Sequence, residues 1–191
     1  MRAPFAEEAN TIVIEGVSWE AYVQMDELLD DAPVRMKWCD ERLEVMSPIS
    51  RYHETIKGNI SCMIAVFCRR EGIFFATIGS TTMRKERQRG GEPDDSYVFS
   101  RGKELADLAI EVAVSSGGID DREFYRPLEV PEVWIWQKQA LTVHAFRDGE
   151  YVRVTESRFL PGLDLALVER LAEERYTSDA LDAFERALGP Q

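Results

Sequence analysis

Glu111 stands inside an apolar stretch in which Leu108, Ile110, Val112 and Val114 alternate with Asp107, Ala109, Glu111 and Ala113. An ionised carboxylate in such a strand is costly unless a cation compensates it. Asp94 opens another strand 17 residues earlier. A strand, a turn and a return strand bring Asp94 level with Glu111 on neighbouring strands. Two carboxylates that close repel each other, and a hard divalent cation such as magnesium is the common remedy. The plainer alternative puts Glu111 on a solvent face and makes Asp94 an ordinary strand-start acid. Spacing alone leaves both open.

Other chemistries lack their residues. GxSxG, P-loop, GxGxxG and HExxH patterns are all absent. The two histidines, His53 and His144, exclude a site that needs three imidazoles. Three cysteines without a CxxC pair make neither a disulfide framework nor a zinc knuckle, which suits a reducing, cytoplasmic setting. Ser116-Gly117-Gly118 reads as a hinge, with a phosphate cradle as the sharper alternative. Arg84, Lys85, Arg87 and Arg89 form a basic loop ahead of Asp94 that either contacts phosphate or is merely solvated. Trp134 and Trp136 alternate with Val133 and Ile135, the pattern of core or dimer-face residues rather than of a base-stacking platform.

The elements that must position these residues follow from periodicity and punctuation. Ser18 caps a helix to about Leu29, carried by Tyr22, Met25 and Leu28 and ended by Asp30-Asp31-Ala32-Pro33. Residues 34–38 and 42–46 form a hairpin through Cys39-Asp40-Glu41. Ser47-Pro48 breaks it and starts a helix of about five turns, carried by Ile56, Ile60, Met63 and Phe67 and ending before Gly72. Strands are expected at 73–78, 81–84, 94–99 and 107–114, with 85–92 as a loop. A short helix spans 119–127. A meander follows at 131–136, 141–146 and 151–154, turning at Arg147-Asp148-Gly149, and two acidic helices close the chain at 164–174 and 178–188. This order defines an α+β (mixed α/β) chain, not a doubly wound nucleotide fold.

With 191 residues the length suits one domain and an appendage. The longest apolar run, Cys62–Cys68, is far too short to span a bilayer. The net charge of -12 is concentrated at the ends: the first 33 residues carry one basic and eight acidic side chains, and 164–191 carry three and seven. Residues 34–163 are nearly balanced, with 19 basic and 20 acidic side chains. That excludes a protein gripping nucleic acid over its whole surface but leaves room for a local phosphate-binding cleft.

Three stretches carry a resemblance together: Leu43-Glu44-Val45-Met46-Ser47-Pro48 with His53-Glu54; Glu92-Pro93-Asp94; and Asp107 through Glu111, Ser116-Gly117-Gly118-Ile119-Asp120 and Tyr125 to Val130-Pro131-Glu132-Val133-Trp134. In order and spacing, over about residues 18–155, the chain resembles the Uma-two family of restriction-endonuclease-like proteins, a branch of the PD-(D/E)XK nuclease superfamily. The resemblance implies a restriction-endonuclease-like core, a mixed sheet flanked by helices, over residues 1–160. The acidic C-terminal helices, 161–191, would pack on it as an appendage. Asp94 matches the aspartate of the Pro-Asp motif and Glu111 the first acid of (D/E)xK. Metal would be held by Asp94, Glu111 and the backbone carbonyl of Val112. Glu44 matches a family acid, and His53 matches a family histidine that either binds metal or bonds within the fold. The implied chemistry is attack of water on a phosphodiester, assisted by Mg2+ or Mn2+.

One departure matters. The (D/E)xK lysine position is Ala113, and the family's alternative lysine position, four before Tyr125, is Asp121. An aspartate adds negative charge where a lysine would orient the water. Arg122 and Lys57 are the candidate substitutes, although arginine makes a poor general base. Two readings remain: a metal-dependent DNA endonuclease impaired by Asp121, and a non-catalytic relative acting in binding or assembly. DNA binding is expected to be weak and salt-sensitive, through the 84–89 loop, with no membrane association and a homodimer as the assembly.

Overall fold

The computed structural model describes residues 11–29, 32, 34–46, 50–113 and 119–190. The expected breaks at Asp30, Asp31 and Pro33 and at Ser47-Pro48, the hinge at Ser116-Gly117-Gly118, and Val114 lie outside them. In chain order the first elements are β1 (Thr11–Glu15), α1 (Trp19–Leu28), β2 (Arg35–Cys39), β3 (Arg42–Met46) and α2 (Arg51–Glu71). Next come β4 (Ala76–Thr77), β5 (Met83–Lys85), β6 (Arg89–Gly91), β7 (Asp95–Val98) and β8 (Leu108–Ala113). The chain continues through α3 (Asp121–Tyr125), β9 (Glu132–Gln137), β10 (Ala140–Arg147), β11 (Glu150–Val154), α4 (Leu165–Ala172) and α5 (Thr177–Leu188).

The strands form two sheets. The first has the order β1-β3-β2-β6-β5 and is antiparallel throughout. The second, β11-β10-β9-β8-β7-β4, is mixed, with β8 and β9 its parallel pair. β8 is buried along most of its length, and its alternation sorts side chains between two cores. Leu108, Ile110 and Val112 join α2, α4 and α5, where Ile60, Met63, Val168 and Phe184 are fully buried. Ala109 faces the other way, onto Phe124, Tyr125, Val133 and Ile135. Glu111 shares that second face. Trp134 and Trp136 are core residues, 0% and 2% exposed.

Local signals explain most element ends. Ser50 caps α2 by accepting from His53 N at 3.2 Å, and Gly72 closes the helix in the left-handed region at φ 66°. Asp40 and Glu41, both at positive φ, make the tight turn between β2 and β3. The C-terminal helices are tied to α2 through Asn59, which is fully buried. Its amide donates to Ala172 O at 3.0 Å and Glu174 O at 2.8 Å and accepts from the Thr177 hydroxyl at 2.8 Å.

Three expectations change. β1 adds an edge strand where none was expected. The strand expected at 73–78 shrinks to Ala76–Thr77, because Ile73 N is engaged by Cys68 O at the end of α2. The loop expected at 85–92 contains β6, which joins β5 to β2. Its Gly90 hides a strand from propensity, yet a Cβ there would stand 2.3 Å from a Tyr22 ring carbon.

Candidate active site

The two sheets meet around a cavity of about 610 Å3. The chain crosses between them at Glu92-Pro93-Asp94, from β6 in one sheet to β7 in the other. β7 pairs with β8 so that Asp95 faces Ile110. Continuing that register by one residue sets Asp94 opposite Glu111. The hydrogen bonding agrees: Val112 N donates to Asp94 Oδ2 at 2.7 Å. Glu44, from β3, reaches the same cavity and accepts from Ile119 N at 2.9 Å, anchoring the approach to α3. His53, in the first turn of α2, places Nε2 3.0 Å from Asp94 Oδ2. Its buried Nδ1 lies 3.4 Å from Glu54 Oε1, without hydrogen-bond geometry.

The positive charges come from β2. Arg35 and Lys37 are two residues apart, hence on one face of the strand. Arg35 pairs with Asp94 and donates to the Ser80 hydroxyl at 2.9 Å. Lys37 donates from Nζ to Glu111 Oε1 at 3.1 Å and to Asp121 Oδ1 at 2.6 Å. Asp121 reaches this point from the first turn of α3, and Tyr125, one turn later, donates its hydroxyl to Glu111 Oε1 at 2.7 Å.

Burial sets the electrostatics. Loss of solvent pushes the Glu111 carboxyl up to about 8; Lys37 opposes the rise, and Asp121 and Asp94 add to it. Burial acts on Asp94 in the same direction, but His53, Arg35 and the Val112 N–H outweigh it and hold that carboxyl below its ordinary value. Burial alone would lower the Lys37 ammonium, yet Asp121 and Glu111 raise it, so it stays charged. The two neighbouring acids thus differ: their surroundings hold the Asp94 carboxyl down, whereas at Glu111 burial outweighs Lys37 and Tyr125. Glu132 offers a contrast. It is equally buried, but Trp134 Nε1, the Ser157 hydroxyl and Arg158 N satisfy it as a structural staple.

The other expected residues fall elsewhere. Lys57 pairs with Glu54 at 2.8 Å one turn along α2, and Arg122 is held by Asp120 at 2.6 Å at the cavity rim. Neither reaches the acids; Lys37, which sequence reasoning missed, does. A signal was available. A hairpin turning at Asp40-Glu41 sets Lys37 opposite Glu44, a charge pair inside the apolar Met36–Trp38 and Leu43–Val45 segments. The 84–89 loop also changes meaning. Arg84 pairs with Asp26, Lys85 donates to Pro127 O at 2.8 Å, and Arg87 lies 3.3 Å from Glu20. Arg89 is 3% exposed and bonded to Asp40 at 2.7 Å and Glu123 O at 3.3 Å. These bonds hold its guanidinium inside the fold.

The donor set around Asp94 and Glu111 is all hard oxygen and is incompletely neutralised, which fits a divalent cation of the magnesium type. The negative charge that Asp121 adds is met by a cation, because Lys37 Nζ stands between Glu111 and Asp121. Among the described residues, the group of three donors that does close within 4.8 Å is Cys39, Asp40 and Glu123, and Arg89 pairs with its Asp40.

Two sheets with acids at a strand-to-strand crossing and helices outside define a nuclease-like fold. A crystal structure of a putative nuclease belonging to DUF820 from Anabaena variabilis shares it, with a TM-score of 0.54 and 12% identity over 88% of this chain and 99% of that one. The family model "Uma2: Putative restriction endonuclease" matches residues 19–177, and the chain belongs to that family. The match extends past the meander through α4. No curated protein matches the chain. Among the described residues, no helix is long and apolar enough to cross a membrane.

Proposed function

We propose that this protein hydrolyses phosphodiester bonds in DNA with a divalent cation, Mg2+ or Mn2+, at the Asp94–Glu111 pair. The observation that carries this is the pairing itself: two buried carboxylates side by side where β7 meets β8, one with its burial cost only partly offset. Asp94, Glu111 and the Val112 carbonyl would hold the cation, and when bound it would offset charge developing on the phosphate. The chain's own groups set the geometry. Arg35 and His53 fix Asp94, Lys37 and Tyr125 fix Glu111, and Glu44 anchors the segment leading to α3. A water oxygen bonds to phosphorus as the bond from phosphorus to a sugar oxygen breaks. The water releases a proton to solvent and the departing oxygen takes one up, so each cut consumes one water.

The phosphate backbone is met at the cavity rim. Arg122 lines it, and Arg153 lies opposite His144 in the β10–β11 register on the same wall. The homodimer belongs to this reading too, with β1, the edge strand of the first sheet among the described residues, as its surface: Ile12, Val13 and Ile14 are 61%, 40% and 42% exposed.

A second reading, a non-catalytic binding module, draws on the same geometry. Arg35, His53 and Lys37 already occupy carboxylate oxygens that a cation would need. Manganese separates the two. Thermal unfolding with added Mn2+ should show a raised melting temperature that Asp94→Asn and Glu111→Gln abolish, and Mg2+ should support cleavage of plasmid DNA. An unchanged manganese response in both variants rules out the site. Manganese binding without any cutting favours the module.

A further inference from the structure

We propose that Lys37 is a catalytic residue of this cavity and that Asp121 is the residue that positions it; this rests on the phosphodiester-cleavage reading above. Lys37 sits on β2 between two paired strands, opposite Glu44 on β3 and Gly91 on β6, so its Cα is held from both sides. Its side chain is 5% exposed, yet it lines the cavity. The Phe124 ring lies beneath it, with the centroid 5.0 Å from Nζ.

An ammonium has three N–H groups. Two are engaged, by Glu111 at 3.1 Å and Asp121 at 2.6 Å. No described residue takes the third. A guest in the cavity can take it, and the guests in question are the attacking water and a non-bridging phosphate oxygen. A lysine serving packing alone would not be needed here, since an apolar residue could pack on the Phe124 ring without burying a charge.

Asp121 explains why the ammonium is not simply absorbed by Glu111. The second carboxylate, from α3, pulls Nζ to a point between two elements, and its shorter distance makes it the stronger anchor. The site thereby keeps a fixed positive charge beside the acid on β8 although residue 113 is alanine. It also follows that Asp121→Lys, taken alone, places two ammoniums together and removes the anchor. That variant is expected to cut less well than the native chain, the reverse of what the sequence suggests.

The test uses the full chain, plasmid DNA, Mg2+ for cleavage and Mn2+ for a separate binding readout by thermal shift. Lys37→Met is expected to lower kcat about a hundredfold or more, while the manganese-induced rise in melting temperature persists. Asp121→Asn should lower kcat about tenfold with KM little changed. Lys37→Met combined with Asp121→Lys should recover a measurable part of the lost rate, which a purely structural role for either residue does not predict. Native cleavage by Lys37→Met overturns the proposal and leaves the nuclease reading standing. If Lys37→Met does not fold, native kcat in Asp121→Asn overturns it instead. A native chain that cuts no DNA with either metal overturns both.

Discussion

Lys37 and Asp121, 84 positions apart, meet at 2.6 Å inside the cavity between the two sheets. One comes from the middle of a strand, the other from the first turn of a five-residue helix. Their ion pair closes the gap between β2 and α3 and gives the acids on the second sheet a cationic partner from the first.

Glu111 makes the stability of the metal-free protein depend on pH. Its carboxyl is raised from 4.5 to about 8 in the folded state. Between those values the folded chain holds a proton that the unfolded chain has released, so stability falls as pH rises across the window. The expected slope reaches about 1.4 kcal/mol per pH unit. Asp94 acts oppositely: its depressed carboxyl contributes stability that is lost only as pH falls below its ordinary value of 3.8. Urea unfolding at pH 5.5, 6.5 and 7.5 should show the fall in the native chain and a flatter profile in Glu111→Gln. Identical slopes would mean that Glu111 titrates normally.

DNA binding should map to the rim and not to the 84–89 loop. Arg122→Glu with Arg153→Glu is expected to weaken binding for all sequences alike. It should also lower the slope of log affinity against log salt by about 0.7–0.9 for each phosphate the protein no longer neutralises. Arg87→Glu should change little, because Arg87 already faces Glu20 on the outside of α1. Fluorescence anisotropy across a salt series decides between them. A larger effect from Arg87 would return the DNA-binding role to the loop.

Asn59 should matter more than its place in the middle of a helix suggests. Asn59→Ala leaves the Ala172 and Glu174 carbonyls without their donor at the junction of α4 and α5. The expected cost is about 1–3 kcal/mol, read as an earlier urea midpoint. A midpoint equal to the native one would show that water replaces the amide.

Gly90 is expected to tolerate no side chain. A Cβ would lie 2.3 Å from Tyr22 Cε1, with the ring fully buried between α1 and the first sheet. Gly90→Ala should cost about 1–3 kcal/mol through overpacking. The double variant Gly90→Ala with Tyr22→Leu should recover part of it, and calorimetric melting measures both.

Residues close in sequence, or linked by strand alternation, were legible. The apolar rhythm of Leu108, Ile110 and Val112 marks a strand buried on two faces, and a lone acid within it stands out whatever lies around it. Asp94 follows, because a strand-turn-strand unit has few ways to pair. Other features were decided by encounters between distant segments. β1 forms on the edge of β3, and β6, two of whose three residues are glycine, forms because Tyr22 requires a bare backbone there. Basic residues were the hardest to assign, since a long charged side chain looks the same in sequence whether it meets solvent, a buried acid or a phosphate. Arg89 and Lys37 both turned inward, one onto Asp40 and the other onto Glu111 and Asp121. The sequence determined which strands carry the acids. Only the packing of one sheet against the other decided which cations answer them, because a charge interacts with what is near in space and no local pattern records that distance.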